Sequence, residues 1–133
     1  MLTADQLNAN PLPFAKLMGV RVVSASKDEV VAELKVRDDL CTAPMPILHG
    51  GAAMALADTA GAVATFLNLP EGAKGTTTIE SKTNFLAAAQ SGTTVRATTT
   101  PIHRGAKTQV WQTRITREDG KLVALVTQTQ MVL

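Results

Sequence analysis

Residues 48–59 read Leu48-His49-Gly50-Gly51-Ala52-Ala53-Met54-Ala55-Leu56-Ala57-Asp58-Thr59. The run continues in the same Ala- and Leu-rich vein to Leu69, with Asp58 its only charge, until Asn68-Leu69-Pro70 and Glu71-Gly72 stop it. This predicts one long helix over 50–69. Its apolar residues go all round instead of forming one stripe, which demands burial on most sides or a membrane span. Ala and Gly stand where a span would carry Leu and Phe, Asp58 sits near the centre, and neither end has aromatic or basic anchors. The helix is therefore expected to be wrapped by its own protein.

The wrapping is legible on either side. Val20 to Ser26 and Val30 to Val36 are β-rich runs joined at Lys27-Asp28-Glu29, with Val31, Ala32 and Leu34 supplying buried surface. Arg37 to Leu48, interrupted by Pro44 and Pro46, reads as an irregular connection. After Gly75 come Thr76 to Leu86, Thr93 to His103, Lys107 to Arg117 and Leu122 to Leu133, with turns at Arg104-Gly105-Ala106 and Glu118-Asp119-Gly120. Upstream, Thr3-Ala4-Asp5-Gln6 has the form of a capping box, and Phe14 to Met18 makes a second helical turn closed by Gly19, so residues 1–19 form a lid-like helical arm. Two strands, a helix and four strands able to meander specify a single α+β domain over 1–133, with one curved antiparallel β-sheet wrapped around one long central helix.

Composition excludes several classes of function. Acids and bases nearly balance at a net charge of +2, and no run of Lys or Arg forms a stripe for phosphates. Aromatics are limited to Phe14, Phe66, Phe85 and Trp111, too few for a base-stacking platform, so nucleic acid is not an expected partner. Cys41, His49 and His103 do not stand at metal-ligand spacing, and no metal is expected. Cys41 has no partner in its chain and reads as a half-buried small hydrophobe. With no signal or transit pattern at the N-terminus, the expected setting is the cytoplasm.

The helix start carries the chemistry. Glycines at the first helical positions leave backbone N–H donors approachable, and the helix dipole adds positive potential there, an arrangement suited to a developing oxyanion. Asp58 is a charge on a helix that must be largely buried, which is costly unless it is paired or used. Eight residues at ~1.5 Å each put Asp58 on the order of 12 Å from Gly50, too far for both to act on one carbonyl. Two helices lying antiparallel across a two-fold axis bring the N-terminus of one to the middle of the other. The spacing predicts an obligate dimer.

The His49-Gly50-Gly51 and Leu56-Ala57-Asp58 elements, with Thr78-Ile79-Glu80, Asn84-Phe85-Leu86 and Ala89 downstream, resemble the PaaI-like and 4-hydroxybenzoyl-CoA-type thioesterases of the hotdog superfamily over nearly the whole chain. The resemblance implies a hotdog fold, hydrolysis of acyl- or aroyl-CoA thioesters, and a homodimer or dimer of dimers. It implies a site shared between subunits, with Asp58 as nucleophile or general base, the Gly50 N–H polarising the thioester oxygen, His49 positioning the thioester, and the Thr78 hydroxyl near water or substrate. Gly51, Thr59 and Asn84 are the neighbouring substrate-binding candidates. Coenzyme A enters only as part of the substrate, so no separate cofactor is expected. For its phosphates the candidates are Arg104, Lys107 and Lys82; each competes with the reading of an ordinary solvated charge. His49 has a competing reading as a helix cap, and His103 reads as an exposed turn residue.

One departure stands out. Relatives carry Asn or Gln six residues before the His, where this chain has Ala43 within Cys41-Thr42-Ala43-Pro44-Met45-Pro46, so either Thr42 or a loop shift must replace that amide. Two other classes compete on the same fold. A hydratase or dehydratase needs a differently spaced His and acid. An acyl-CoA sensor carries a DNA-binding extension and lacks the acid, whereas this chain begins almost directly with the sheet domain and keeps Asp58.

Overall fold

The structure is a computed structural model describing residues 1–133. The arm consists of α1 (Ala4–Ala9) and α2 (Pro13–Met18); the first two strands are β1 (Arg21–Ala25) and β2 (Val30–Lys35). The central helix α3 spans Gly50–Leu67, and β3 (Thr76–Phe85), β4 (Thr94–Arg104), β5 (Thr108–Thr116) and β6 (Leu122–Val132) follow. All strand pairs are antiparallel in one six-stranded sheet of order β1-β2-β4-β5-β6-β3. Helix α3 lies against β2 through β6. It ends two residues before the expected Leu69, because Asn68 caps it and donates its side-chain amide to Ala64 O (2.8 Å).

The order corrects the expected four-strand meander. Only β4, β5 and β6 meander; β3 lies beyond β6 at the far edge instead of pairing with β4. The connection between them is too long for a tight hairpin, and it buries Ala89 in the core. There Ala89 O accepts from Leu48 N, while Gly92 N donates to Val36 O, so the link crosses to the end of β2 beneath the start of α3. The Arg37–Leu48 connection is irregular as expected, apart from a 3₁₀ turn at Asp38–Leu40.

The arm is tied down by polar contacts. Thr3 and Gln6 form the capping box of α1. Asn8 then donates to Val22 O and accepts from Val22 N, both at 2.8 Å, occupying the outer edge of β1. Arg37 donates to Met18 O (2.7 Å) and Leu17 O (3.2 Å) at the C-terminus of α2, where the helix dipole favours a cation.

Burial of α3 is less complete than its composition demands, since only eight of its 18 residues are buried within the chain. Leu56, Ala57, Ala60 and Ala64 face the sheet, but Met54 and Phe66 remain exposed. An apolar helix face is thus left open in the single chain.

Candidate active site

Asp58 sits half-buried on the third turn of α3, facing the β3–β6 side of the sheet. Thr78 Oγ1 on β3 donates to Asp58 Oδ1 at 2.6 Å, and Gln128 Nε2 on β6 approaches the same oxygen at 3.3 Å. Behind Thr78, Gln130 Nε2 donates to Thr78 Oγ1 at 2.6 Å, which fills the hydroxyl's acceptor side and directs its proton at the carboxylate. Gln130 Oε1 in turn accepts from Thr76 Oγ1 at 3.0 Å. The chain of hydrogen bonds therefore runs Thr76, Gln130, Thr78, Asp58.

A bulge makes this arrangement possible. The pairing of β3 with β6 slips between Thr78 and Glu80, so Thr78 opposes Gln130 while Ser81 opposes Gln128 and Thr83 opposes Val126. These residues share the helix-facing side with their partners. Glu80, Lys82 and Asn84 face the other way, opposite Thr129, Thr127 and Leu125, and Lys82 Nζ donates to Asn84 Oδ1 at 3.0 Å. Within one chain, then, Lys82 and Asn84 lie on the opposite face of the strand from Asp58.

At the helix start, His49 is the N-cap. Its Nδ1 accepts from Gly51 N at 2.8 Å, so a neutral ring carries its proton on Nε2. The capping reading of His49 is realised, and the Gly51 N–H is occupied by it. The Gly50 N–H has no acceptor in its chain. A Cβ at Gly50 would come within 3.0 Å of the Phe85 ring, whose close approach explains glycine there. Gly51 also lines a cleft of about 400 Å³ with Phe14, Leu17, Cys41, His49 and Ala52.

The remaining candidates are dispersed. Thr59 donates to Ala55 O (2.8 Å) and lines an apolar cavity of about 490 Å³ beneath the arm, with Leu7, Leu12, Ala62, Val63 and Phe66. Arg104 is engaged at the opposite end of α3, donating to Asp28 Oδ1 (2.8 Å) and Lys27 O (2.9 Å). Lys107 is exposed in the adjoining turn. His103 is exposed as expected, but it lies within β4, one residue before the strand ends at Arg104, and not in the turn. Thr42 closes its own loop by donating to Met45 O at 2.7 Å, so its hydroxyl is already used. Cys41 is half-buried and donates to Arg37 O at 3.2 Å.

Sequence reasoning missed Gln128 and Gln130 beside Asp58, and it gave Phe85, part of the Asn84-Phe85-Leu86 pattern, no role beside Gly50. The glutamines had a signal: they continue the inward alternation of Ala124 and Val126 along β6, where an apolar residue is the default.

Comparison with known proteins identifies the family and the fold. Residues 45–124 match the thioesterase superfamily. The 1,4-dihydroxy-2-naphthoyl-CoA hydrolase of Escherichia coli strain K12 is 32% identical, over 99% of this chain and 96% of its own. A thioesterase of known structure from Haemophilus influenzae superposes with a TM-score of 0.91 at 31% identity, covering 100% of this chain and 92% of that one. The PaaI protein of the E. coli phenylacetic acid degradation operon gives a TM-score of 0.85 at 25% identity, over 98% and 90% of the two chains. The chain belongs to the thioesterase superfamily, with the hotdog fold. It is an enzyme of the thioester-hydrolase class.

Proposed function

We propose that this chain hydrolyses acyl- or aroyl-CoA thioesters at a site completed by a second copy, with Asp58 of one subunit opposed to Gly50 of the other. The observation that carries this reading is the pairing of a carboxylate anchored by Thr78 with an approachable Gly50 N–H eight residues upstream, ~12 Å away along one helix. Further support comes from the helix face itself. Gly51, Met54, Asp58 and Ala62 recur at helical spacing along one stripe, none of them fully buried.

As general base, Asp58 takes a proton from water as its oxygen attacks the thioester carbon. The carbonyl oxygen gains charge facing Gly50 N–H, and collapse breaks the C–S bond to release the acid and the CoA thiol, which takes the proton back. As nucleophile, Asp58 attacks the thioester carbon and expels the CoA thiolate to form a mixed anhydride; water then hydrolyses the anhydride to the free acid and the Asp58 carboxylate, and the proton it gives up goes to the thiolate. His49, already a cap, places the Gly50 and Gly51 amides at the mouth of the site. Arg104 and Lys107 are proposed contacts for CoA phosphates, with Lys82, Asn84, Gly51 and Thr59 as proposed walls of the shared site. Beyond the CoA carried by the substrate no cofactor is assigned, and the proposed setting is the cytoplasm.

Subunit mixing tests the reading. Asp58→Ala and Gly50→Pro remove one half-site each; the backbone of a first helical position admits proline, and the exposed Phe85 ring has to yield to its Cβ. Exchanged heterodimers should regain partial thiol-releasing activity, because one of their two sites combines both intact halves. Folded heterodimers that stay inactive would overturn the shared site.

A further inference from the structure

Gln128 is an anomaly of the core. Its side chain is buried (1% exposed), yet Oε1 has no hydrogen-bond partner, and Trp111, its register partner on β5, likewise leaves Nε1 without one. An apolar residue of similar length would satisfy the same space without an orphaned carbonyl oxygen. The other end of the amide is used, since Nε2 points at Asp58 Oδ1.

The helix makes room for it. Gly61 lies inside α3, where alanine would be the better helix former, and a Cβ there would fall within 2.5 Å of both Gln128 Nε2 and Oε1. The glycine is one turn beyond Asp58, so the glutamine crosses the helix surface through the gap and reaches the carboxylate from below.

We propose that Gln128, admitted by Gly61, is a positioning residue for Asp58. Its amide and the Thr78 hydroxyl both end on Oδ1, fixing the rotation of the carboxylate and leaving Oδ2, which accepts from no group in the chain, as the oxygen presented to water or thioester. The arrangement rests on the hydrolytic role of Asp58 and adds to it which oxygen reacts and what holds it. Two residues that contact no substrate thereby govern turnover.

The test uses the purified full chain and whichever of benzoyl-, phenylacetyl- and hexanoyl-CoA it hydrolyses fastest, following thiol release. Gln128→Met keeps length and removes both polar atoms. It should lower kcat about 10- to 100-fold, the scale of one hydrogen bond to a charged group, with KM little changed and the melting temperature equal or higher. A residue kept for stability would instead lower the melting temperature and spare kcat. Gly61→Ala should lower kcat similarly by pushing the amide aside, yet add no further loss in a Gln128→Ala background, where the space is vacant. Turnover of Gln128→Met within about twofold of wild type, or equal Gly61→Ala losses in both backgrounds, overturns the proposal. If Asp58→Asn abolishes turnover while Gln128→Met does not, only the positioning role falls; if Asp58→Asn is fully active, the hydrolytic reading falls with it.

Discussion

The two halves of the helix-facing sheet surface are built from different materials. Under the first turns of α3, Leu34, Val36, Val95, Ile115, Ala124 and Val126 close around Leu56 in a continuous apolar cluster. Further along the same strands the lining turns polar: Thr99 and Thr113 share a hydrogen bond at 2.7 Å, and Gln109, Gln128 and Gln130 are all buried. Three of the side-chain atoms there, on Gln109, Trp111 and Gln128, find no partner. A second, smaller apolar cluster around Trp111 keeps that half packed. Asp58 stands where the two materials meet. The apolar half contributes stability; in the polar half, Gln128 hydrogen-bonds Asp58 and Gln130 its partner Thr78, at positions where an apolar residue is the default.

Four substitutions sharpen or break this division. The largest effect is expected at the boundary, where Asp58→Asn should cut turnover by ~100- to 10,000-fold while the melting temperature moves little, because the amide keeps the size of the acid. Near-normal thioester hydrolysis by a folded variant would remove Asp58 from the chemistry. In the apolar half, Ile115→Ala should destabilise the chain by about 2–5 kcal/mol in denaturant titrations, with kcat per folded molecule preserved. A loss of kcat at 115 matching that at 58 would mean the halves are not separable. In the polar half, Thr78→Val should reduce kcat about 10- to 100-fold and cost some stability, because Gln130 Nε2 loses its acceptor as Asp58 loses the nearer of its two donors.

The smallest effect lies outside both halves. Arg96, and less strongly Arg21, hydrogen-bond Glu33 on the outer surface and hold its pKa below the ordinary value against the opposing effect of burial. A carboxylate with a lowered folded pKa stabilises above the unfolded value and loses that contribution as pH falls through the folded one. Glu33→Gln should therefore lower stability near neutrality by under about 1 kcal/mol, and the gap to wild type should close in acid. A gap independent of pH would assign the loss to packing.

The apolar half was the legible half. Alternating Val, Leu and Ala fix strands, and the Ala- and Leu-rich run stopped at Asn68-Leu69-Pro70 fixes the helix, because period and turn chemistry are local properties. The position of β3 was not local. Its partner depends on a connection that buries Ala89, and a sequence pattern does not say which edge a strand joins. The phase of β3 was hidden for a related reason: the slip at Ile79 turns Lys82 and Asn84 away from Asp58, although plain alternation from Thr78 would place both on its own side. Buried glutamines are the hardest to foresee, since polar residues on a strand default to the solvent side.

Asn8 has a consequence for how the sheet can grow. By taking both the N–H and the C=O of Val22, it caps one border of the sheet against docking by another strand, whereas the border at β3 has no strand beyond it. A sheet with one sealed border and one open border adds a neighbour in a single direction. Were two copies to meet at their β3 borders, the borders left outside would both be β1 strands guarded at Val22 by Asn8, which would disfavour strand-by-strand extension into a fibre.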